Sequence, residues 1–166
     1  MHLDSGRVEL RLEPVVLGAA VQDALGDFQA KAAARRVTLV HEVPAGLVAR
    51  ADPNRLQQVL ANLIDNAIKY GAANGRVMAR GRALPDGRVE LSVRDDGPGI
   101  PPEAVARIFE RFYRVDKARS REQGGTGLGL AIVKNVIHAH GGEVRVESTL
   151  GAGTQFFVTL PAAKTY

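Results

Sequence analysis

The chain has 166 residues, 45% hydrophobic and 24% charged, a composition typical of one soluble globular domain with a sizeable core. The absence of cysteine excludes disulfides and thiolate metal sites, and no apolar run reaches the ~18 residues of a membrane span. The net charge of +4 is compatible with an anionic ligand such as a nucleotide. A nucleic-acid partner is disfavoured, because the basic residues are scattered and Trp is absent.

The N-terminal part of the chain is predicted to form a strand, a helix and two further strands. Alternating apolar residues indicate the strands, and the helical spacing of Val21, Leu25 and Phe28 indicates the helix. The predicted ranges are Val8–Leu12, Leu17–Arg36, Val37–Val43 and Val48–Ala51. Pro14 is expected to end the first strand, and His41 is expected to be a surface residue of the second.

The stretch from Arg55 to Tyr70 is predicted to be a helix with two chemically different faces. Its apolar face consists of Leu56, Val59, Leu60, Leu63, Ile64 and Ala67. On the opposite side Asn62, Asn66 and Lys69 follow one another at helical spacing. A row of amide oxygens that ends in a cation suits a hydrated divalent metal and a phosphate chain. A plain polar surface stripe fits these spacings equally well.

The residues that flank this helix carry signals for its ends. Asp52 and Pro53 supply an N-cap and a proline at the first helical position, and Gly71 is a typical residue to follow the last turn. Two strands come next, Val77–Leu84 and Arg88–Asp95, and the turn Pro85-Asp86-Gly87 predicts that they form a hairpin.

The second strand of this hairpin ends in an acidic pair whose members differ in environment. Val89, Leu91 and Val93 share one face of the strand, and Asp95 falls on the same face. A carboxylate at the buried end of a strand is costly unless a neighbour donates a hydrogen bond to it. Asp96 points the other way, toward water, and is expected to be dispensable. Asp95 is therefore the candidate functional acid.

A tight turn, Gly97-Pro98-Gly99-Ile100, follows the acidic pair and leads to a short helix that opens at Pro101. The segment Val115–Gly125 is charged and almost free of apolar residues, so we expect a mobile loop. A glycine-rich run then leads into the predicted helix Ala131–His140. Glycines before a helix favour an anion, although a simple helix entry would be just as compatible with this run.

The C-terminal part of the chain is predicted to be a hairpin of Glu143–Ser148 and Thr154–Leu160. Just before it, His138 and His140 are expected to lie at a helix end, where positive charge is favourable. We therefore assign these two histidines a structural rather than a functional role.

Four segments, in this order, resemble the motifs of the ATP-binding catalytic domain of bacterial sensor histidine kinases. NLIDNAIKY resembles the N box, DDGPGI the G1 box, IFERFYR the F box and GGTGLGLAIVK the G2 box, and HGGEVRVESTLGAGTQFFVTLP resembles the closing hairpin. The superfamily also includes DNA gyrase, the ninety-kilodalton heat-shock chaperone and the MutL proteins. The resemblance implies the Bergerat fold, an α/β two-layer sandwich in which three helices cover one face of a mixed, mostly antiparallel β-sheet beside a flexible ATP lid.

The resemblance also implies how the chain is divided. Residues 1–7 would be a remnant of an upstream dimerisation-domain junction, residues 8–162 the ATP-binding catalytic domain, and residues 163–166 a C-terminal tail.

On the helix of the N box, the resemblance implies a metal and phosphate site. Asn66 would ligate Mg²⁺ through its amide oxygen, and Asn62 would support the metal-bound waters. Lys69 and Tyr70 would contact the phosphate chain and the ribose side. Members of the superfamily that hydrolyse ATP have a Glu at the position of Asn62, and an amide cannot replace it as a general base. ATP should therefore be held without rapid hydrolysis.

For the base and the lid, the resemblance implies that Asp95 accepts a hydrogen bond from the adenine amine, with Thr154 assisting. Arg114 would approach the terminal phosphate and act in catalysis together with Asn62 and Lys69. The remaining nucleotide-binding positions are Gly97, Gly99, Ile100, Arg111, Tyr113, Gly125, Thr126, Gly127, Leu128, Gly129 and Leu130.

The implied function is transfer of the γ-phosphate of ATP, with Mg²⁺, to a histidine in two-component signalling. None of the four histidines has the acceptor pattern of His, an acid and Pro, so the dimerisation and phosphoacceptor domain and a response regulator are the expected partners. We expect a cytoplasmic domain of a membrane-anchored sensor, itself without nucleic-acid or membrane contacts. The alternatives are a serine kinase of the anti-sigma-factor type, a non-catalytic nucleotide-sensing module and, with little support, a nucleic-acid binder.

Overall fold

A computed structural model describes residues 9–110 and 129–163. In chain order the elements within these ranges are β1 (Glu13–Val16), α1 (Leu17–Asp27), α2 (Gln29–Ala34), β2 (Thr38–Glu42), β3 (Val48–Ala51), α3 (Pro53–Tyr70), β4 (Arg76–Ala83), β5 (Arg88–Asp95), α4 (Pro102–Val105), α5 (Gly129–Ala139), β6 (Val144–Thr149) and β7 (Gly153–Pro161). Among these helices, none is both long enough and apolar enough to cross a membrane.

The sheet is mixed and mostly antiparallel, as predicted. In the part of the chain that the structure describes, five strands lie in the order β2-β4-β5-β7-β6, and only the pair β2–β4 is parallel. The strands β1 and β3 form a separate antiparallel pair. The predicted hairpins are both present, and the register of β5 with β7 places Asp95 opposite Thr154. Two residues predicted to act on the adenine thus lie side by side at one end of the sheet.

Helix α3 is the central helix of the layer that covers the sheet. It packs against α1, α5 and β5, and its predicted apolar face is buried in one core with the inner faces of the strands. Asp52 caps its start: Oδ1 accepts hydrogen bonds from the backbone N–H groups of Asn54 and Arg55 at 2.9 and 3.1 Å. The predicted two-layer sandwich is therefore confirmed, and α3 is its best-specified element.

The first predicted strand, Val8–Leu12, is wrong in position. The strand runs from Glu13 to Val16 instead, and it contains Pro14, which was expected to end it. Within the described residues β1 pairs only with β3, so it is an edge strand, where a residue without an N–H group is tolerated.

The single helix predicted over Leu17–Arg36 is also wrong, because it is interrupted. Phe28, at φ −110° and ψ 8°, separates α1 from α2 shortly after the weak helix former Gly26. The chain leaves the helical conformation after Ala34, and Arg36 has a positive φ of 58°. Because α2 ends at Ala34, Arg35 lies in a turn rather than on a helix face.

Candidate functional site

The two predicted metal-site amides lie on α3 beside the start of α5. Asn62 and Asn66 are both half-buried, one helical turn apart. Gly129, the first residue of α5, is so close that a Cβ built on it would lie 3.5 Å from Asn62 Oδ1. Gly129 and Leu130 are half-buried, and they are the two residues of the glycine-rich run that the structure describes. The amide stripe therefore faces a helix N-terminus, where backbone N–H groups favour an anion.

These amides fit a hydrated Mg²⁺ better than a metal caged by the protein. Mg²⁺ keeps several waters and usually takes one or two protein oxygens together with substrate phosphates. Among residues 9–110 and 129–163, no group of three or more His, Cys, Asp or Glu side chains could hold a metal ion. The donors available next to α5 are amide oxygens, which suit a metal that arrives with a phosphate chain.

Asp95 is a buried carboxylate at the end of β5, only 6% exposed. The backbone N–H of Gly97 donates to Oδ1 at 2.8 Å, and the backbone N–H of Thr154 donates to the same carboxylate. Burial raises the pKa of Asp95 above its usual value of 3.8, and the two N–H donors oppose this rise only in part. The inward placement predicted from strand alternation is confirmed.

The turn after β5 packs against the C-terminal end of α3. A Cβ built on Gly97 would lie 2.7 Å from Gly71 Cα and 2.8 Å from the Tyr70 carbonyl oxygen, so only glycine fits. Gly99 has a φ of +81°, and a Cβ there would lie 2.4 Å from the Thr149 carbonyl oxygen. Close backbone approach at Gly97 thus joins α3 to the strand end that carries Asp95.

Ser148 holds this turn to the C-terminal hairpin, a role that the sequence analysis missed. Its hydroxyl accepts a hydrogen bond from the Ile100 backbone N–H at 2.6 Å. The same hydroxyl lies 3.2 Å from the Gly153 carbonyl oxygen and 3.1 Å from Thr154 Oγ1. The predicted hairpin already placed Ser148 near Thr154. A hydroxyl on the inward face of that strand was the sequence signal that could have identified this contact.

Lys69 is engaged in an ion pair with its own helix. Its Nζ lies 3.0 Å from Asp65 Oδ2, one turn earlier, while Lys31 of α2 contacts the other oxygen of Asp65 at 3.1 Å. Tyr70 follows at the helix end, is half-buried and has its carbonyl oxygen beside Gly97. A phosphate contact by Lys69 would require its ammonium to be shared with, or released from, this carboxylate.

Asp96 is exposed, as predicted, but it is not without a contact. The Arg76 backbone N–H at the start of β4 lies 3.1 Å from both of its carboxylate oxygens. A Cβ on Gly75 would lie 2.2 Å from Asp96 Oδ1. The Asp96 side chain therefore pairs with the first N–H of a strand, and its dispensability for the chemistry of the site stays a prediction.

The three histidines within the described residues occupy different environments. His41 and His138 are exposed, as expected for a strand surface and a helix end. His140 is 7% exposed: its Nδ1 lies 2.8 Å from the Val136 carbonyl oxygen, and its Nε2 accepts a hydrogen bond from the Asp52 backbone N–H at 3.1 Å. His140 thus has the structural role expected of it, because both of its ring nitrogens contact backbone groups within the fold.

Seven predicted site residues lie outside the described residues. They are Arg111, Tyr113, Arg114, Gly125, Thr126, Gly127 and Leu128. The structure accordingly brings together the amides of α3, the Asp95 turn, Thr154 and the start of α5, and leaves the predicted roles of the other seven as predictions.

A depression of about 700 Å³ lies elsewhere, over β2, β4, β5 and β7. Its charged side chains pair with one another: Arg80 with Glu42 at 3.0 Å, and Arg82 with the buried Glu90 at 2.9 Å. None of the predicted nucleotide-binding residues lines it. Because its charges are already paired, this depression is a weaker candidate than the site around Asp95.

Comparisons with known proteins show which family the chain resembles. The profile of the family described as histidine kinase-, DNA gyrase B-, and HSP90-like ATPase matches residues 51–164. The sensor protein kinase WalK of Staphylococcus epidermidis is 46% identical over 132 residues, which are 78% of this chain and 22% of the relative. The chain thus spans about a fifth of the length of this curated relative.

Two solved structures have the same fold. Full-length ShkA in complex with AMPPNP is 36% identical with a TM-score of 0.83, covering 95% of this chain and 32% of that one. Histidine kinase ThkA, solved with the response regulator protein TrrA, is 27% identical with a TM-score of 0.76, covering 92% and 42%. From its site geometry, its sequence and its fold, the chain belongs to the family of histidine kinase-, DNA gyrase B- and HSP90-like ATPases.

Proposed function

We propose that this chain binds Mg-ATP and donates the γ-phosphate to a histidine on a separate domain of a sensor kinase. The observation that carries the proposal is the buried carboxylate of Asp95. An ionised carboxylate has about four lone-pair positions, and two backbone N–H groups use part of this capacity. A further donor, the exocyclic amine of adenine, fits the remaining capacity, whereas guanine presents a carbonyl oxygen at the corresponding position.

The phosphate chain is proposed to lie between Asn62, Asn66 and the start of α5. Their half-burial and the proximity of Gly129 to Asn62 support this placement. When bound, Mg²⁺ supplies positive charge that offsets the charge of the phosphates. The amide oxygen of Asn66 would hold the metal, and Asn62 would orient its waters. The N–H groups at the start of α5 would orient the phosphate oxygens.

The reaction is proposed to be transfer rather than hydrolysis. An imidazole nitrogen forms a bond to the γ-phosphorus while the bond from that phosphorus to the β–γ bridging oxygen breaks, and ADP leaves. Asn62 occupies the position where hydrolysing relatives carry a Glu, and an amide cannot take a proton from water. The chain therefore orients ATP and does not activate water at that position, so the γ-phosphate is retained for the external nucleophile.

The phosphate acceptor is proposed to be a histidine outside this chain. His140 is buried and its two ring nitrogens are engaged within the fold, while His41 and His138 lie on the surface without the acceptor pattern. The WalK relative is about five times longer than the matched segment, and ThkA was solved with a response regulator. A phosphoacceptor domain of the same kinase and a response regulator are thus the proposed partners, in the cytoplasm, where ATP is available.

The test has two steps on the same preparation. Calorimetry with ATP, ADP and GTP, each with and without Mg²⁺, should detect binding of adenine nucleotides and a preference for ATP when Mg²⁺ is present. Labelled ATP should then phosphorylate an added histidine-bearing domain while free phosphate accumulates slowly. No heat from any adenine nucleotide would overturn the proposal. Binding without transfer would favour a nucleotide-sensing module, and transfer to serine would favour the serine-kinase alternative.

A further inference from the structure

Arg35, which no predicted motif contains, connects the turn after α2 with the C-terminal end of α3. Its guanidinium donates hydrogen bonds to the carbonyl oxygens of Ile68, Lys69 and Gly71, at 2.6 Å for Lys69 and 3.2 Å for Gly71. The Arg35 side chain is half-buried, and its own carbonyl oxygen accepts from the Asn74 N–H at 3.0 Å. One side chain therefore serves three carbonyl groups that lie more than 30 residues away.

Two of these carbonyl groups, those of Ile68 and Lys69, belong to the last turn of α3 and need a partner, because the last four C=O groups of a helix lack the usual partner within the helix. A glycine after the last turn commonly provides one by adopting a left-handed conformation. Gly71 does not do this: its φ is −77° and its ψ is −178°, and only its N–H bonds back, to the Ala67 carbonyl. Arg35 supplies the donors instead, and its positive charge is favourable at the carbonyl end of a helix.

The helix end that Arg35 holds is the part of α3 that contacts the candidate nucleotide site. A Cβ built on Gly71 would lie 3.1 Å from Asp95 Cβ, and one built on Gly97 would lie 2.7 Å from Gly71 Cα. The spacing between the Asp95 carboxylate and the last turn of α3 is therefore set by direct backbone packing. Fraying of the last turn of α3 would change the distance between Asp95 and the amide side chains of Asn62 and Asn66, which lie earlier on α3.

We infer that Arg35 is a positioning residue for nucleotide binding, which keeps the end of α3 against the Asp95–Gly97 turn. The inference rests on the proposed function of the site. The Arg35 guanidinium contacts backbone carbonyl groups, including those of Lys69 and Gly71, and acts through that backbone. A planar guanidinium can reach several carbonyl groups at once, whereas the ammonium of a lysine is a compact point charge.

The test compares Arg35→Ala and Arg35→Lys with a matched control, Arg80→Ala. Arg80 is exposed and forms its ion pair with Glu42, away from the predicted nucleotide-binding residues. We expect Arg35→Ala to raise the dissociation constant for Mg-ATP between about 10- and 100-fold. Arg35→Ala should also lower the ratio of the dissociation constant for GTP to that for ATP, which measures the base preference. Arg35→Lys should fall between Arg35→Ala and the wild type, and Arg80→Ala should bind like the wild type.

The base preference separates positioning from a general loss of stability, because partial unfolding lowers the affinity for both nucleotides alike. If Arg35→Ala fails to fold, Arg35→Lys provides the same comparison. Wild-type affinity and wild-type base preference in the folded Arg35 variants would overturn the inference and leave the proposed function intact. Failure of the wild type and of Arg80→Ala to bind any nucleotide would instead overturn the proposed function, and this inference with it.

Discussion

Replacing Asp95 by Asn tests the adenine contact with a change of very few atoms. In the wild type, the Gly97 N–H donates to Asp95 Oδ1 at 2.8 Å. The variant keeps one carbonyl oxygen that can accept this hydrogen bond. The second oxygen becomes an NH₂ group, which donates and cannot accept from the adenine amine. A hydrogen bond to a charged group contributes about 1.5–3 kcal/mol. We therefore expect the dissociation constant for Mg-ATP to rise roughly 10- to 150-fold.

The neighbouring Asp96→Asn is the matched control for this prediction. It makes the same chemical change one residue later, where the side chain is exposed and faces the Arg76 N–H. An asparagine there keeps one oxygen for that N–H, so ATP affinity should stay within about twofold of the wild type. Calorimetry at neutral pH, with circular dichroism to verify the fold, measures both variants. Equal affinities of Asp95→Asn and the wild type would refute the assigned contact.

Three further changes have defined outcomes. His140→Ala leaves the buried Asp52 N–H without its acceptor, so we expect a loss of about 2–3 kcal/mol and a melting temperature lower by roughly 5–10 °C; an equal effect of the exposed His138→Ala would contradict this. Because the folded pKa of Asp95 is raised above 3.8, its contribution to stability is present below pH 3.8 and is lost as the pH rises through the folded pKa. In thermal melts from pH 3.5 to 7, the stability of the wild type relative to Asp95→Asn should therefore decrease as the pH rises, and parallel curves would disprove the assignment. Asn66→Ala should reduce the ratio of ATP affinities measured with and without Mg²⁺, and an unchanged ratio would exclude Asn66 as a ligand.

Local physical chemistry made several features of this chain predictable from the sequence. The Asp52-Pro53 start and the apolar face of α3 are governed by helix capping and helical periodicity, which act over a few residues. The hairpin turn and strand alternation likewise placed Asp95 inward, because successive side chains of a strand point to opposite faces. The resemblance of four motifs supplied the fold class, which the five-stranded sheet and its covering helices confirm.

The same local rules failed where a distant contact decided the conformation. The strand containing Pro14 is determined by its pairing with β3. The break at Phe28 follows the weak helix former Gly26, whose effect the helical spacing of the apolar residues does not reveal. The helical spacing of the apolar residues therefore predicted one helix that was too long. Tertiary packing commonly overrides such local preferences.

Specific side-chain partners were decided only by the tertiary structure. His140 meets the N–H of Asp52 88 residues away, Ser148 meets Ile100 48 residues away, and Arg35 reaches the end of α3 across more than 30 residues. The periodicity of a sequence predicts which face a side chain occupies. It does not predict which buried N–H or C=O group that face will meet, because this depends on how the helices and the sheet pack together.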